Sequence, residues 1–374
     1  MKTGCISPFC GMKGNYKAEL MKKHNTKRII IGMMLMLTLL LCACADKGAG
    51  ADKKATGNTN AEKRKVIIDT DTGADDSSAL ILAAMCDDIE IVGVTVLVGN
   101  VDLEQSAKNA LMALEMAGCD APVYKGSNDT INGIKKTAFS VFGEDGMGEA
   151  DLVHPKREAE EGDAVDFILD TVKSNPGEIE IVALGPATNI AKAIEKDPET
   201  MKKVKMIWSM GTAGLGPGNA SPVAEFNVYA DAEAYKIMLD SDIPITIIGL
   251  DMCTDEAQWT DDQFVKLSGS GETGKFVAES FGKIREFYKN NGSETVMNCD
   301  ALAMMCVTNP DFVNDRTNTH ASCIIEEGET YAQVIFYKEG FTYDIANNDF
   351  NYNVCLVTDV KKALYFDNYL KALH

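Results

Sequence analysis

The chain has 374 residues, of which 45% are hydrophobic and 25% charged. That balance excludes a disordered, collagenous or coiled-coil chain, and 31 glycines, ten prolines and 7% aromatics suit an α/β domain better than an all-β sandwich. The formal charge of −20 opposes binding to nucleic acid or to anionic headgroups, because the field of the whole molecule repels them; a neutral or cationic small molecule, or a metal ion, suits it.

At the amino terminus, Lys22, Lys23, Lys27 and Arg28 precede a mostly apolar run that ends in small residues around Cys44. This is the plan of a secretory signal, too short for a stable membrane span. Leu41-Cys42-Ala43-Cys44 resembles a bacterial lipobox. Residues 1–43 are therefore expected to be a signal peptide, with Met21 as an alternative start. Cys44 is expected to be the lipidated first residue of a protein held on the extracytoplasmic face of the cell membrane; an uncleaved anchor is the other reading. Residues 44–64, rich in Gly, Ala, Lys and Asn, read as a flexible tether, and 65–374 as one domain. That domain carries seven cysteines, an odd number without a CxxC pair, so neither a disulfide framework nor a zinc site is indicated.

Along the domain, apolar strand patterns alternate with helical ones. Strands are predicted at Lys65–Asp69, Ile89–Gly99, Pro122–Tyr124, Ile179–Leu184, Val204–Met210 and Ile243–Gly249. Helices are predicted at Ala74–Asp87, Leu103–Ala117, Ala164–Lys173, Thr188–Glu195 and Ala232–Leu239, and a polar, Gly-rich stretch runs from Gly126 to Gly162. His320–Glu326 and Tyr331–Tyr337 read as a hairpin around Glu327-Gly328-Glu329. The alternation argues for an α/β fold with an open, mostly parallel sheet and helices on both faces, whose ligands bind at the carboxyl ends of the strands.

Residues 69–76 read Asp-Thr-Asp-Thr-Gly-Ala-Asp-Asp. Four carboxylates at the end of a buried strand repel one another, and a divalent cation is the simplest remedy, with oxygen-only ligation favouring Ca²⁺ or Mg²⁺ over Zn²⁺. Two other readings stand beside it. The segment could be a solvated acidic turn in which Asp75 and Asp76 complement the helix dipole. It also partly fits the haloacid-dehalogenase phosphatase pattern with Asp69 as nucleophile, but the downstream Lys and acidic pair of that family are missing.

With the rest of the chain, the loop resembles the nucleoside hydrolases, the inosine–uridine-preferring family. Its DTDPGxDD motif stands here as DTDTGADD. Further blocks follow in order: Val98–Val101, Ala183–Asn189, Met210-Gly211 with Gly218-Asn219, Ala224–Asn227 and Asp231, and Pro244–Asp251. The resemblance implies a Rossmann-like fold and hydrolysis of the N-glycosidic bond of ribonucleosides to base and ribose, through an oxocarbenium-like sugar. A Ca²⁺-bound water would be activated by Asp71 as general base. Metal ligands would be Asp71, Asp76, Asp300 and the Leu184 carbonyl. Asp75, Asn227 and Asp300 would hold the 2′- and 3′-hydroxyls, Glu225 and Asn219 the 5′-hydroxyl, and Asn100 would line the same pocket. Family members are often homodimers or homotetramers.

The chain departs from the family pattern at Asn298–Ala303, where Cys299 stands in place of the His that protonates the leaving base. A thiol is a weak donor at neutral pH. His154 is an alternative acid, and Trp208 and Trp259 are candidates for base stacking or for packing. Asn189 reads as a helix cap, and Tyr343 and Tyr352 as possible borders of the pocket. A different class, an extracytoplasmic nucleoside- or sugar-binding lipoprotein without turnover, is the other functional reading; the full set of acidic-loop carboxylates counts against it.

Overall fold

The computed structural model describes residues 63–342 and 350–374; the signal, Cys44, the tether up to residue 62 and Tyr343 lie outside the described residues, while Arg64, read as the end of the tether, belongs to the first strand. The described residues form one compact unit. No helix among the described residues is long and apolar enough to cross a membrane.

In chain order the first half comprises β1 (Arg64–Thr70), α1 (Ala74–Ala84), β2 (Ile89–Val96), α2 (Leu103–Met116), β3 (Val123–Lys125), α3 (Phe139–Phe142), α4 (Ala164–Ser174), β4 (Glu180–Ala183), α5 (Thr188–Lys196), α6 (Pro198–Met201) and β5 (Met206–Met210). There follow α7 (Phe226–Ala230), α8 (Ala232–Leu239), β6 (Ile245–Ile248), β7 (Trp259–Thr260), α9 (Asp261–Ser268), α10 (Glu272–Ser280), α11 (Gly282–Asn290), β8 (Thr295–Val296), α12 (Cys299–Thr308), β9 (Val313–Cys323), β10 (Val334–Lys338), β11 (Val354–Val360) and α13 (Tyr365–Ala372).

Nine strands form one sheet in the order β10-β9-β11-β6-β5-β4-β1-β2-β3. Every pairing from β3 to β11 is parallel, and β9 runs antiparallel between β10 and β11. The predicted hairpin is the β9–β10 pair, with Ala321 opposite Phe336. The sheet is thus open and mostly parallel, as its apolar strands predicted.

Alternation along each strand feeds two separate cores. Val66 and Ile68 of β1 pack with α1, α2 and α12 on one face, while Ile67 packs with α4, α5 and α8 on the other. Because both faces are covered, the strands read as continuous apolar runs. At the start of β1, Arg64 pairs with Glu180, which also accepts from Lys205 and the Trp208 indole. This closes the amino ends of β1, β4 and β5 and turns the Trp208 indole toward Glu180.

The order 3-2-1-4-5-6 has its switch point between β1 and β4. Crossovers leave in opposite directions there, which opens a crevice at the carboxyl ends of the strands. Asp69 of β1 lies in register with Ala183 of β4, so the acidic loop and Leu184 meet at that crevice.

Candidate active site

The acidic loop turns from β1 into α1, and its carboxylates are fixed by donors close in sequence. Asp76 reaches back to the Gly73 amide at 2.9 Å, accepts the Thr70 hydroxyl at 2.5 Å and accepts the Asn100 side-chain amide at 3.0 Å. Asp71 accepts the Asn100 main-chain amide at 2.5 Å through Oδ2, while its Oδ1 is buried without a partner. Gly99 and Gly185 press against this carboxylate from two sides. A Cβ on Gly185 would sit 2.6 Å from Asp71 Oδ1, and one on Gly99 would collide with Oδ2. The two glycines exist there to let the backbone approach, a close-approach role open only to a residue without a side chain.

Asp300 arrives from the first turn of α12. Oxygen atoms of Asp75, Asp76 and Asp300 all lie within 4.8 Å of one another. Carboxyls this close need a shared proton or a cation. Burial followed by the neighbouring charges raises Asp71 and Asp300 well above the carboxylate range and Asp75 to about 8. Asp76 is raised as well, chiefly by burial. The buried, partnerless Oδ1 atoms of Asp71 and Asp75 and an all-oxygen donor set fit a hard divalent cation. The tight triad contains Asp75; Asp71, which the resemblance puts among the metal ligands, stands beside it through its interaction with Asp76.

The remaining polar residues line one cavity of about 180 Å³ with Asp75, Leu184 and Asp300: Asn100, Asn219, Glu225, Asn227 and Cys299. Glu225 caps the short α7 by accepting the Asn227 and Val228 amides, and burial lifts its carboxyl to about 7. The Asn227 amide donates to the Leu184 carbonyl at 2.7 Å and to the Met210 carbonyl at 3.2 Å, tying the ends of β4 and β5. The Leu184 oxygen retains its second lone pair. Asn219 accepts the Phe226 amide at 2.9 Å.

Cys299 lies on the cavity wall, its thiol hydrogen-bonded to Cys253; that bond and burial hold it well above the usual thiol range. All seven cysteines of the domain are free thiols.

Several expectations fall elsewhere. Asn189 is not the cap of α5, whose capping position is Ala187. Its amide instead donates to Asp69 at 2.8 Å and accepts the Ser127 amide at 2.9 Å, because a buried carboxylate behind the acidic loop needs a donor more than the helix end does. Asp69 also accepts from Thr95 and is raised by burial to about 7. His154 is exposed beside Asp151 and Trp259 is buried in an aromatic cluster. Neither these residues nor Trp208 and Tyr352 line the cavity.

The opposite side of the cavity was missed in the sequence: Ala138, Val141 and Phe142 from the Gly-rich stretch, Ile284, Phe287 and Tyr288 from α11, and Met297. Ile284, Phe287 and Tyr288 follow helical spacing, which marks an apolar face without saying whether it meets a core or a ligand.

An oxygen-rich floor facing an aromatic wall suits a ligand that joins a polyol to a flat ring. The comparisons agree with that geometry. Residues 66–367 match the family described as inosine-uridine preferring nucleoside hydrolase. Uridine nucleosidase 1 of Arabidopsis thaliana is 36% identical over 261 residues, covering 69% of this chain and 77% of the relative. Among solved structures, a plant nucleoside hydrolase, the PpNRh1 enzyme, superposes with a TM-score of 0.78 at 28% identity, covering 83% of this chain and 98% of the other. A purine-preferring ribonucleoside hydrolase from Gardnerella vaginalis gives 0.76 at 27% identity with the same coverage. The chain belongs to the inosine-uridine preferring nucleoside hydrolase family, enzymes that hydrolyse the N-glycosidic bond.

Proposed function

We propose that this enzyme releases free base and ribose from ribonucleosides, with Asp71 as the general base and Ca²⁺ as its metal. The observation that carries the reading is the pair of buried, partnerless Oδ1 atoms of Asp71 and Asp75, of which Asp75 lines, with Asp300, a cavity that also carries Phe142, Phe287 and Tyr288. Asp71, Asp76, Asp300 and the Leu184 carbonyl would hold the ion, with Asp75 adjoining. Once bound, Ca²⁺ supplies acidity to a water and screens the carboxylates from one another.

The protein's own groups then divide the work. Asp71 takes the proton of the attacking water, its other oxygen being held by the Asn100 amide. Asp75, Asn227 and Asp300 grip the 2′- and 3′-hydroxyls, while Glu225 and Asn219 take the 5′-hydroxyl. These fixed donors and acceptors suit a neutral polyol, and the acidic surroundings disfavour a phosphorylated one. Phe142, Phe287 and Tyr288 flank the base, and the Cys299 thiol donates weakly to its departing nitrogen.

Release of reducing sugar from a panel of purine and pyrimidine nucleosides tests the reading, with Ca²⁺ and with chelator. Ca²⁺-dependent release abolished in Asp71→Asn supports it; saturable binding without turnover would put a binding protein in its place. The same chain is proposed to be lipidated at Cys44, to sit on the extracytoplasmic face of the membrane and to assemble as a homodimer or homotetramer. Mass spectrometry of the mature amino-terminal peptide and light scattering of the purified protein check these points.

A further inference from the structure

The carboxylates of the floor come from two helices, Asp75 and Asp76 from α1 and Asp300 from α12. Like charges push these helix ends apart, so some other contact must set their spacing. Two residues beyond Asp76, the Ser78 hydroxyl shares its one proton between the Asp75 carbonyl at 2.8 Å and Asn298 Oδ1 at 3.0 Å. Asn298 lies two residues before Asp300. The bridge therefore spans the two acid-bearing turns directly.

A third helix locks it. The Tyr365 hydroxyl donates to the Asn298 carbonyl at 2.9 Å and the Tyr369 hydroxyl to the Ser78 carbonyl at 3.2 Å. Four residues apart, the two phenols share one face of α13, and each takes one partner of the bridge. All four residues are buried, where an unmade hydrogen bond costs far more than it does at a surface. Apolar packing around α13 explains why the rings are there. It does not explain why both hydroxyls end on the residue pair whose side chains are hydrogen-bonded between the two acid-bearing turns.

We infer that α13 is a clamp: Tyr365, Tyr369, Ser78 and Asn298 are positioning residues that fix the separation of the α1 and α12 carboxylates and thereby set metal affinity. The inference rests on the metal reading above. Partners of this kind around a metal site are worth about 10–100-fold in affinity.

The test is calorimetric titration of the full chain with Ca²⁺ alone, alongside thermal melting. The double variant Tyr365→Phe/Tyr369→Phe should bind Ca²⁺ about 10–100-fold more weakly while keeping its helical circular dichroism. Ser78→Ala, which removes one small hydroxyl, should weaken binding in the same direction and decides the matter if the double variant does not fold. Trp259→Phe serves as the control. Its ring contacts both tyrosines, its indole nitrogen has no partner, and it should lower Tm without changing Ca²⁺ affinity. Folded Ser78→Ala or phenylalanine variants that bind Ca²⁺ as the wild type does would overturn the clamp alone. A wild-type chain that binds no Ca²⁺ overturns the metal reading and the clamp together.

Discussion

The floor of the pocket and its aromatic wall are held in different ways. Behind the floor, Asp71 and Asp76 are tied by Thr70, Gly73 and Asn100, donors that belong to the loop itself or to the turn that follows β2. The wall brings α3 and α11 against each other from segments about 140 residues apart. The Gly-rich stretch after α3 is joined to α11 by the exposed Lys283–Glu149 ion pair, the kind of contact worth little in water. A floor built from short, directional, buried bonds fixes atoms; a wall built from apolar surface fixes only a shape. The floor should therefore set rate and the wall should set which base is accepted.

The largest way to break this division is Asp71→Asn. It keeps the shape but removes the proposed base, and kcat should fall by about 10³-fold with the melting temperature little lowered; a rate within tenfold of wild type in the reducing-sugar assay would take Asp71 out of that role. Next comes Gly99→Ala, which touches no ligand but drives a methyl into the Asp71 carboxylate. A displaced base should cost about 10²-fold in kcat, and overpacking should cost about 1–3 kcal/mol in stability by denaturant melts. Retained activity would mean that Asp71 has room to move.

On the wall, Phe287→Ala should raise KM about tenfold through lost stacking, worth about 1–3 kcal/mol for a base on an aromatic ring, and change the ranking of purine and pyrimidine substrates. Calorimetric Ca²⁺ affinity should stay constant in the same variant; a loss there would show that floor and wall are not independent. Cys299→Ala should slow nucleosides by about tenfold, below the roughly 100-fold low end of general acid catalysis because a thiol donates weakly. It should leave a riboside with an activated phenol leaving group unchanged, since that group departs without help.

The smallest effect sharpens the comparison through pH. The Glu225 carboxyl, lifted by burial to about 7, keeps its proton in the folded protein where the unfolded chain has released it. Stability from this group therefore falls as pH rises from about 4.3 to about 7 and is level above. In melts across that range, Glu225→Gln should lack this part of the slope; parallel curves for the two proteins would mean that Glu225 titrates normally.

The sequence shows the floor because its chemistry is local. Asp69–Asp76 is contiguous, the β-branched runs locate the strand ends, and polar residues at the carboxyl ends of parallel strands have few other uses. Asp300 was visible only through the resemblance, since nothing in Asn298–Ala303 by itself ties that carboxylate to a loop more than 200 residues earlier. The wall was hidden for the opposite reason. Phe287 and Tyr288 follow the same helical spacing as core residues, and Phe142 sits in a Gly-rich stretch that reads as plain loop. Asn189 was misread because its choice between capping α5 and serving Asp69 depends on a buried acceptor that only the fold supplies. The tyrosines of α13 were silent too, as a phenol's partner cannot be read from its neighbours in the chain.

The parallel course of β1 has a consequence for access. The strand enters the domain at Arg64, within the polar knot with Glu180, and delivers its chemistry at Asp71 after seven residues, about 23 Å of extended chain. Whatever precedes Arg64 joins the domain at the end of the strand away from the cavity. The amino ends of β1, β4 and β5 are closed by Arg64 and Glu180, so the pocket opens only where the strands deliver their carboxyl ends.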